Sequence, residues 1–104
     1  MVSEPRQCYW EASIVFEFDP EKSEANLAKH GIDFEAAQAL WLDERKSTGP
    51  TVSPDEERWM VVGTIAGKLW SAVVTYRGDA VRIISVRRAR PKEERAYHAK
   101  ADQR

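Results

Sequence analysis

The sequence predicts an α+β fold: a mainly antiparallel sheet of four to five strands with an N-terminal helical hairpin and a C-terminal helix, in the order β-α-α-β-β-β-β-α. Three observations predict it. Alternating runs rich in β-branched residues follow one another between residues 58 and 88, parted only by Ala66-Gly67 and Gly78-Asp79, gaps of the size that joins antiparallel neighbours. Ahead of them, Asp19-Pro20 and Asp33 each open a stretch of helical spacing, and behind them Pro91 opens another. Consecutive strands with helices grouped at either end belong to an α+β layout rather than to βαβ units.

Taken in order, residues 1–12 show no period and form an N-terminal extension, whose Tyr9 and Trp10 are available to pack on the body; residues 13–104 form a single domain. Ser13 to Phe18 alternates around Ile14, Phe16 and Phe18, a short strand. Asp19 is a good N-cap and Pro20 suits the first helical position, while Glu21 and Glu24 place negative charge where the helix dipole favours it. The first helix runs to Lys29-His30, with Ala25, Leu27, Ala28 and His30 as its less polar positions, and Gly31 is the expected left-handed residue after it. Asp33 caps a second helix carrying Phe34, Ala37, Leu40 and Trp41. A short strand is expected within Leu42 to Ser47, and a loop from Thr48 to Glu57, where two prolines, a glycine and three consecutive acids occur. Strands then cover Arg58 to Ile65, Lys68 to Tyr76 and Ala80 to Arg88. The last helix runs from Pro91 to about Ala101, with Ala96, Tyr97 and Lys100 on one stripe.

The 104 residues carry a net charge of −1, yet that charge is unevenly spread. Residues 1–75 hold 7 Lys+Arg against 13 Asp+Glu, whereas residues 76–104 hold 9 against 4: a basic quarter on an acidic body. A single cysteine, Cys8, excludes an internal disulfide, and two histidines make a histidine-rich metal centre an unfavourable reading, so neither metal nor cofactor is expected. No apolar run reaches the ~18 residues of a membrane span, and the first residues lack the pattern of a secretion signal. A cytoplasmic protein fits best.

If both turns are two-residue loops, register follows. Thr75 then pairs with Arg82 and Arg58, Val73 with Ile84 and Met60, and Ser71 with Val86 and Val62. Arg58, Thr75 and Arg82 form a polar row on one face, where two guanidinium groups converge beside a hydroxyl and call for an anion or a carboxylate between them. The other face carries Trp59, Val61, Trp70, Ala72, Val74, Tyr76, Val81 and Ile83, the better surface to lie under the helices.

Three segments together carry a family resemblance: FEFDPEKSEANLAKHGIDFEAA from Phe16 to Ala37, the Glu57-Arg58 pair opening a strand, and YRGDAVRIISVRRARPKEERAY from Tyr76 to Tyr97. With D-P-x-K, K-H-G-I-x-F and R-I-I-S-x-R-R-A in this order, residues 14 to 98 resemble the BrnT family, toxins of type II toxin-antitoxin pairs. Phe18 stands where the family commonly has tryptophan, and Trp41 where it has phenylalanine. The resemblance implies a RelE-like fold and a metal-independent endoribonuclease that inhibits translation. It also implies neutralisation by a BrnA-like antitoxin, in a hetero-oligomer that binds promoter DNA through the antitoxin.

Cleavage of this kind uses the ribose 2′-OH as nucleophile and needs groups that move protons and stabilise phosphoryl charge. Lys22, in the first turn of a helix where a cation is unusual, matches D-P-x-K and is the first candidate for phosphate binding or proton transfer; the alternative is a solvated lysine paired with Glu24. Arg58 and Arg82 are candidate clamps on the scissile phosphate, or else members of a charge network with Asp55, Glu56 or Glu57. Arg87 and Arg88 fall on opposite faces, parity favouring Arg88 for the Arg58-Arg82 row, and both are candidates for holding RNA or antitoxin; the alternative is a solvated basic strand end. Thr75 and Ser85 read as sheet hydroxyls before catalysts, with Thr75 also a candidate RNA contact, and Tyr97 either contacts RNA or packs the last helix. His30 reads as a helix-end cap, and Glu17, Glu57 and Glu93 as solvated carboxylates able to serve as a base. The rival to the enzyme is a non-catalytic module whose arginines grip a protein partner or nucleic-acid phosphates.

Overall fold

A computed structural model of the chain describes residues 14–51 and 57–101. Strand β1 is Val15–Glu17, helix α1 Pro20–His30 and helix α2 Phe34–Ala37, the last tightening at once into a 3-10 segment over Gln38–Leu42. Strands β2 (Ser47–Thr51), β3 (Arg58–Ile65), β4 (Lys68–Arg77) and β5 (Ala80–Arg88) follow, and helix α3 spans Pro91–Ala101. The five strands form one sheet in the order β1-β5-β4-β3-β2. All neighbours are antiparallel except β1 and β5, which run parallel. This is the expected α+β fold. Cys8, Tyr9 and Trp10 lie outside the described residues.

The helical hairpin covers the expected face. Ile32, Phe34, Ala37 and Leu40 pack on Val61, Ala72, Val74, Val81, Ile83 and Val86. Edge-on aromatic pairs, Phe16 with Trp41 at 5.0 Å and Phe18 with Phe34 at 5.8 Å between centroids, join β1 to the hairpin. Tyr76, expected on that face too, is half exposed at the end of β4. Helix α3 lies on the opposite face, where Tyr97 packs with Val62 and Leu69.

Five local expectations change. The buried positions of α1 are the polar Ser23 and Asn26, while Leu27 is 48% exposed. Ser23 accepts a hydrogen bond from the Phe34 amide, and the Asn26 amide donates to the carbonyls of Ile32 and Val86 and accepts from the Val86 N–H. Beyond Arg82 β1 no longer flanks β5, and the Asn26 side chain supplies there the two hydrogen bonds that another strand would. The second helix is four residues of α-helix before the 3-10 turn, whose i, i+3 stacking suits the Phe34, Ala37, Leu40 spacing. Strand β2 occupies Ser47–Thr51, mostly inside the stretch expected as loop; its Pro50 is tolerated because β2 is an edge strand. On α3, Tyr97 is buried, but Ala96 and Lys100 are exposed.

The fifth change is register. Thr75 opposes Arg82 as expected, and the β3–β4 pairs Met60 with Val73 and Val62 with Ser71 hold. A bulge at Val73/Val74, however, moves β5 on by one residue, so Val73 opposes Ser85 rather than Ile84, and Ser71 opposes Arg87 rather than Val86. Every side chain beyond the bulge therefore changes face.

Candidate functional site

A row of polar side chains crosses the sheet near the β4–β5 turn. Glu17 on β1 lies beside Arg82 on β5, and Arg82 opposes Thr75 on β4. One step beyond the Trp59–Val74 pair, the β3–β4 register sets Arg58 opposite Thr75, and Thr51 on β2 pairs with Arg58. Directly paired residues share a face. The expected juxtaposition of Arg58, Thr75 and Arg82 is present, lengthened by Glu17 at one end and Thr51 at the other.

Arg82 Nη1 is 3.7 Å from Glu17 Oε1, with the side chains 31% and 43% exposed, a loose pair in contact with water. Such pairs are worth ~0–1 kcal/mol, so Glu17 orients the guanidinium at little cost to its ability to bind an anion. Thr75 is buried, and its hydroxyl donates to the Glu57 carbonyl at 2.8 Å, which ties β4 to the start of β3. Arg58 is half buried. Helix α3 rests on Val62 and Leu69, four and six residues along the strands from Arg58 and Thr75, or about 13 and 20 Å, with Met60, two residues or about 7 Å from Arg58, at the near edge of the same cluster. The row thus lies beyond the apolar seat of α3.

The bulge gives the next two arginines separate partners. Arg87, not Arg88, falls on the face of the row, because Arg87 opposes Ser71 while Arg88 opposes Trp70. There Arg87 donates from Nη1 and Nη2 to Glu93 Oε1 and Oε2 at 2.9 and 2.7 Å. Glu93 Oε1 also accepts from the Ser71 hydroxyl and from the Arg90 amide. The last bond is half of a capping box: Glu93 sits three residues after Arg90 and satisfies an amide at the start of α3. The Arg87 hydrogen bonds, opposed by burial and reinforced by Arg90 and Ser71, hold the Glu93 carboxyl down at about 2, and the same contact raises Arg87. Glu93 is thus a hub and not a solvated acid. Arg88 is exposed, donates from Nε to the Leu69 carbonyl, and holds its guanidinium 5.5 Å from the centroid of a Trp70 ring.

Tyr97 is buried and donates its hydroxyl to Asp43 Oδ2 at 2.8 Å. Asp43, in the turn before β2, also accepts from the Arg45 amide and from the amide and hydroxyl of Thr64. Burial pushes the Asp43 carboxyl up, but these donors outweigh it and leave it below its ordinary value; burial and Asp43 together raise the Tyr97 phenol. Lys22 is exposed in the first turn of α1 and makes no hydrogen bond or ion pair among the described residues. His30 ends α1 ahead of Gly31, which takes the left-handed conformation at φ 82° and donates to the Leu27 carbonyl.

The structure brings together Arg58, Thr75 and Arg82, and separates from them Arg87 with Glu93, Arg88 with Trp70 and Tyr97 with Asp43. The sequence reading missed the pairing of Glu17 with Arg82, since nothing in a three-residue strand announces its neighbour. The hub role of Glu93 had a signal in its capping-box spacing from Arg90.

With this geometry in view, a family model described as the ribonuclease toxin BrnT of type II toxin-antitoxin systems matches residues 18–93. The chain belongs to the BrnT family. No curated protein sequence matches it. As a BrnT protein it is the ribonuclease toxin of a two-component pair, with RNA as its class of substrate and an antitoxin as its class of partner. The matched span contains Lys22, Arg58, Thr75, Arg82, Arg87 and Arg88, and excludes Glu17 and Tyr97. Among the described residues, no helix is long and apolar enough to cross a membrane.

Proposed function

We propose that this BrnT protein is a metal-independent endoribonuclease of the cytoplasm that halts translation, and that the row from Glu17 through Arg82 and Thr75 to Arg58 forms the floor of its active site. The observation that supports the reading most is the register that sets Arg58 and Arg82 on either side of Thr75 on one sheet face, with the Glu17 carboxylate beside Arg82. Two cations on the strands that flank β4, one on either side of Thr75, suit a phosphodiester whose charge rises in the transition state.

In this reading the substrate 2′-oxygen attacks phosphorus, loses its proton to a base, and the bond from phosphorus to the 5′-oxygen breaks as that oxygen gains a proton. Arg82 and Arg58 clamp the phosphoryl oxygens. Lys22 contacts the phosphate or carries a proton, and Thr75 holds the two strands in place beneath the clamp. Arg87, Arg88 and Tyr97 serve the RNA-bound state from the periphery, chiefly through the hydrogen bonds that fix the surrounding surface. A BrnA-like antitoxin with a DNA-binding domain covers this face in the neutralised complex, which binds promoter DNA through the antitoxin.

The test is growth arrest on expression and RNA cleavage in excess chelator, for wild type beside Lys22→Ala and Arg82→Ala. Arg82→Ala is expected to lower kcat/KM by about 100-fold, the usual scale for losing one donor to the transition state. Equal toxicity of all three, with melting curves unchanged, removes the site assignment. Absence of cleavage by the wild type under any condition points instead to a non-catalytic binding module. The partner half is tested separately by whether the product of the adjacent gene co-elutes with the toxin.

A further inference from the structure

Arg77 is the last residue of β4, opposite Ala80 across the turn that Gly78 and Asp79 make. Alternation along a strand puts Arg77 on the face of Thr75 and Arg82, and the bulge at Val73/Val74 lies on the far side of Thr75, so this parity is undisturbed. Two residues of strand separate Arg77 from Thr75 by about 7 Å. That is comparable to the distance between consecutive phosphates in an extended single strand of RNA. Arg82 is offset by Glu17, whereas Arg77 is exposed and has no carboxylate, hydrogen bond or ion pair among the described residues, although Asp79 is only two residues away. Among the described residues, no group neutralises its charge.

We propose that Arg77 binds the RNA phosphate one nucleotide away from the phosphate clamped by the Arg58–Arg82 row, so that the substrate runs along β4 toward the β4–β5 turn. The inference rests on the ribonuclease reading above and adds to it the direction of the bound strand. Because this phosphate does not react, Arg77 grips substrate and transition state alike, and its contribution falls on KM. Arg82, by contrast, acts on the reacting phosphate and bears on kcat.

The experiment measures affinity for a short, uncleavable 2′-O-methyl RNA oligonucleotide over a range of salt concentrations, and steady-state cleavage of the matching RNA, for wild type, Arg77→Ala, Arg77→Lys and Arg82→Ala. Arg77→Ala is expected to weaken binding about tenfold at low salt, the scale of one charge-assisted hydrogen bond. It should also reduce the slope of log K against log salt by about 0.7, one phosphate's worth in a single strand. Arg77→Lys should restore the slope, and Arg77→Ala should raise KM where Arg82→Ala lowers kcat. A wild-type slope in Arg77→Ala, with cleavage still dependent on Arg82, overturns the Arg77 assignment alone. Failure of the wild type to bind or cleave RNA overturns the ribonuclease reading and this inference together.

Discussion

Two polar residues, Asn26 and Glu93, tie helices to the sheet beside the apolar packing. Asn26 is 93% buried by its 7% exposure and satisfies three backbone groups, the N–H and C=O of Val86 and the C=O of Ile32. Replacing it by leucine leaves all three without partners in a site closed to water. Such groups cost ~1–3 kcal/mol each, and with partial relaxation Asn26→Leu is expected to destabilise by about 3 kcal/mol, read from the shift of the urea midpoint. Glu93 makes a different prediction. Its carboxyl is lowered from 4.5 to about 2 in the folded state, so its contribution is complete above about pH 4.5 and is lost as pH falls through that window toward 2. The side chain is 17% exposed, and the loss is of order 3 kcal/mol at most. Glu93→Gln should be less stable at pH 7 and should lose less than wild type on acidification from pH 5 to pH 2.5; parallel pH profiles for the two proteins would refute the role given to this carboxylate.

At the scale of elements, the two turns between the long strands differ in quality. Ala66 and Gly67 both have positive φ, 52° and 80°, the pattern of a type I′ turn, in which asparagine before glycine is the favoured pair. An alanine there strains its Cβ against the following carbonyl, so Ala66→Asn is expected to stabilise by about 0.5–1 kcal/mol in thermal unfolding. Gly78, at φ 59°, already has the residue its turn requires. These turns and the β-branched runs made the three long strands and the pairs nearest each turn legible in the sequence. The inward face of α1 was not, because Ser23 and Asn26 are buried for their hydrogen bonds and a search for apolar spacing selects Leu27 instead. The bulge was missed as well: no glycine or proline marks Val73, Val74 or Ile84, and its one trace is the Ile83-Ile84 doublet, after which the buried apolar position moves from odd to even numbers at Val86. Hence Thr75 and Arg82, close to the β4–β5 turn, and Arg58, reached through the unbroken β3–β4 register, could be aligned from the sequence, while Arg87 and Arg88, beyond the bulge, could not.

For the whole molecule, the two sheet faces are closed by unequal means. The helical hairpin buries a continuous apolar core, whereas α3 rests on a small cluster around Tyr97 and is tied by Glu93 at its start and by the Tyr97–Asp43 hydrogen bond in its body. Few apolar contacts lower the free energy of local opening. Amides of α3 should therefore exchange with solvent faster than those in the middle of β4, and Tyr97→Phe should widen the gap; equal protection of α3 and β4 would show that the helix opens only with the entire domain. The bulge bears on the distribution of charge in a related way. One residue more or less in β5 works as a frameshift for everything after it, and most sequences would lose their pattern of partners. Here the affected positions are two arginines in succession, so either frame delivers one guanidinium to the side of α3 and one to the side of Trp70. The doublet gives the strand end a tolerance to slippage, in which the identity of the arginine changes and the charge on each face does not.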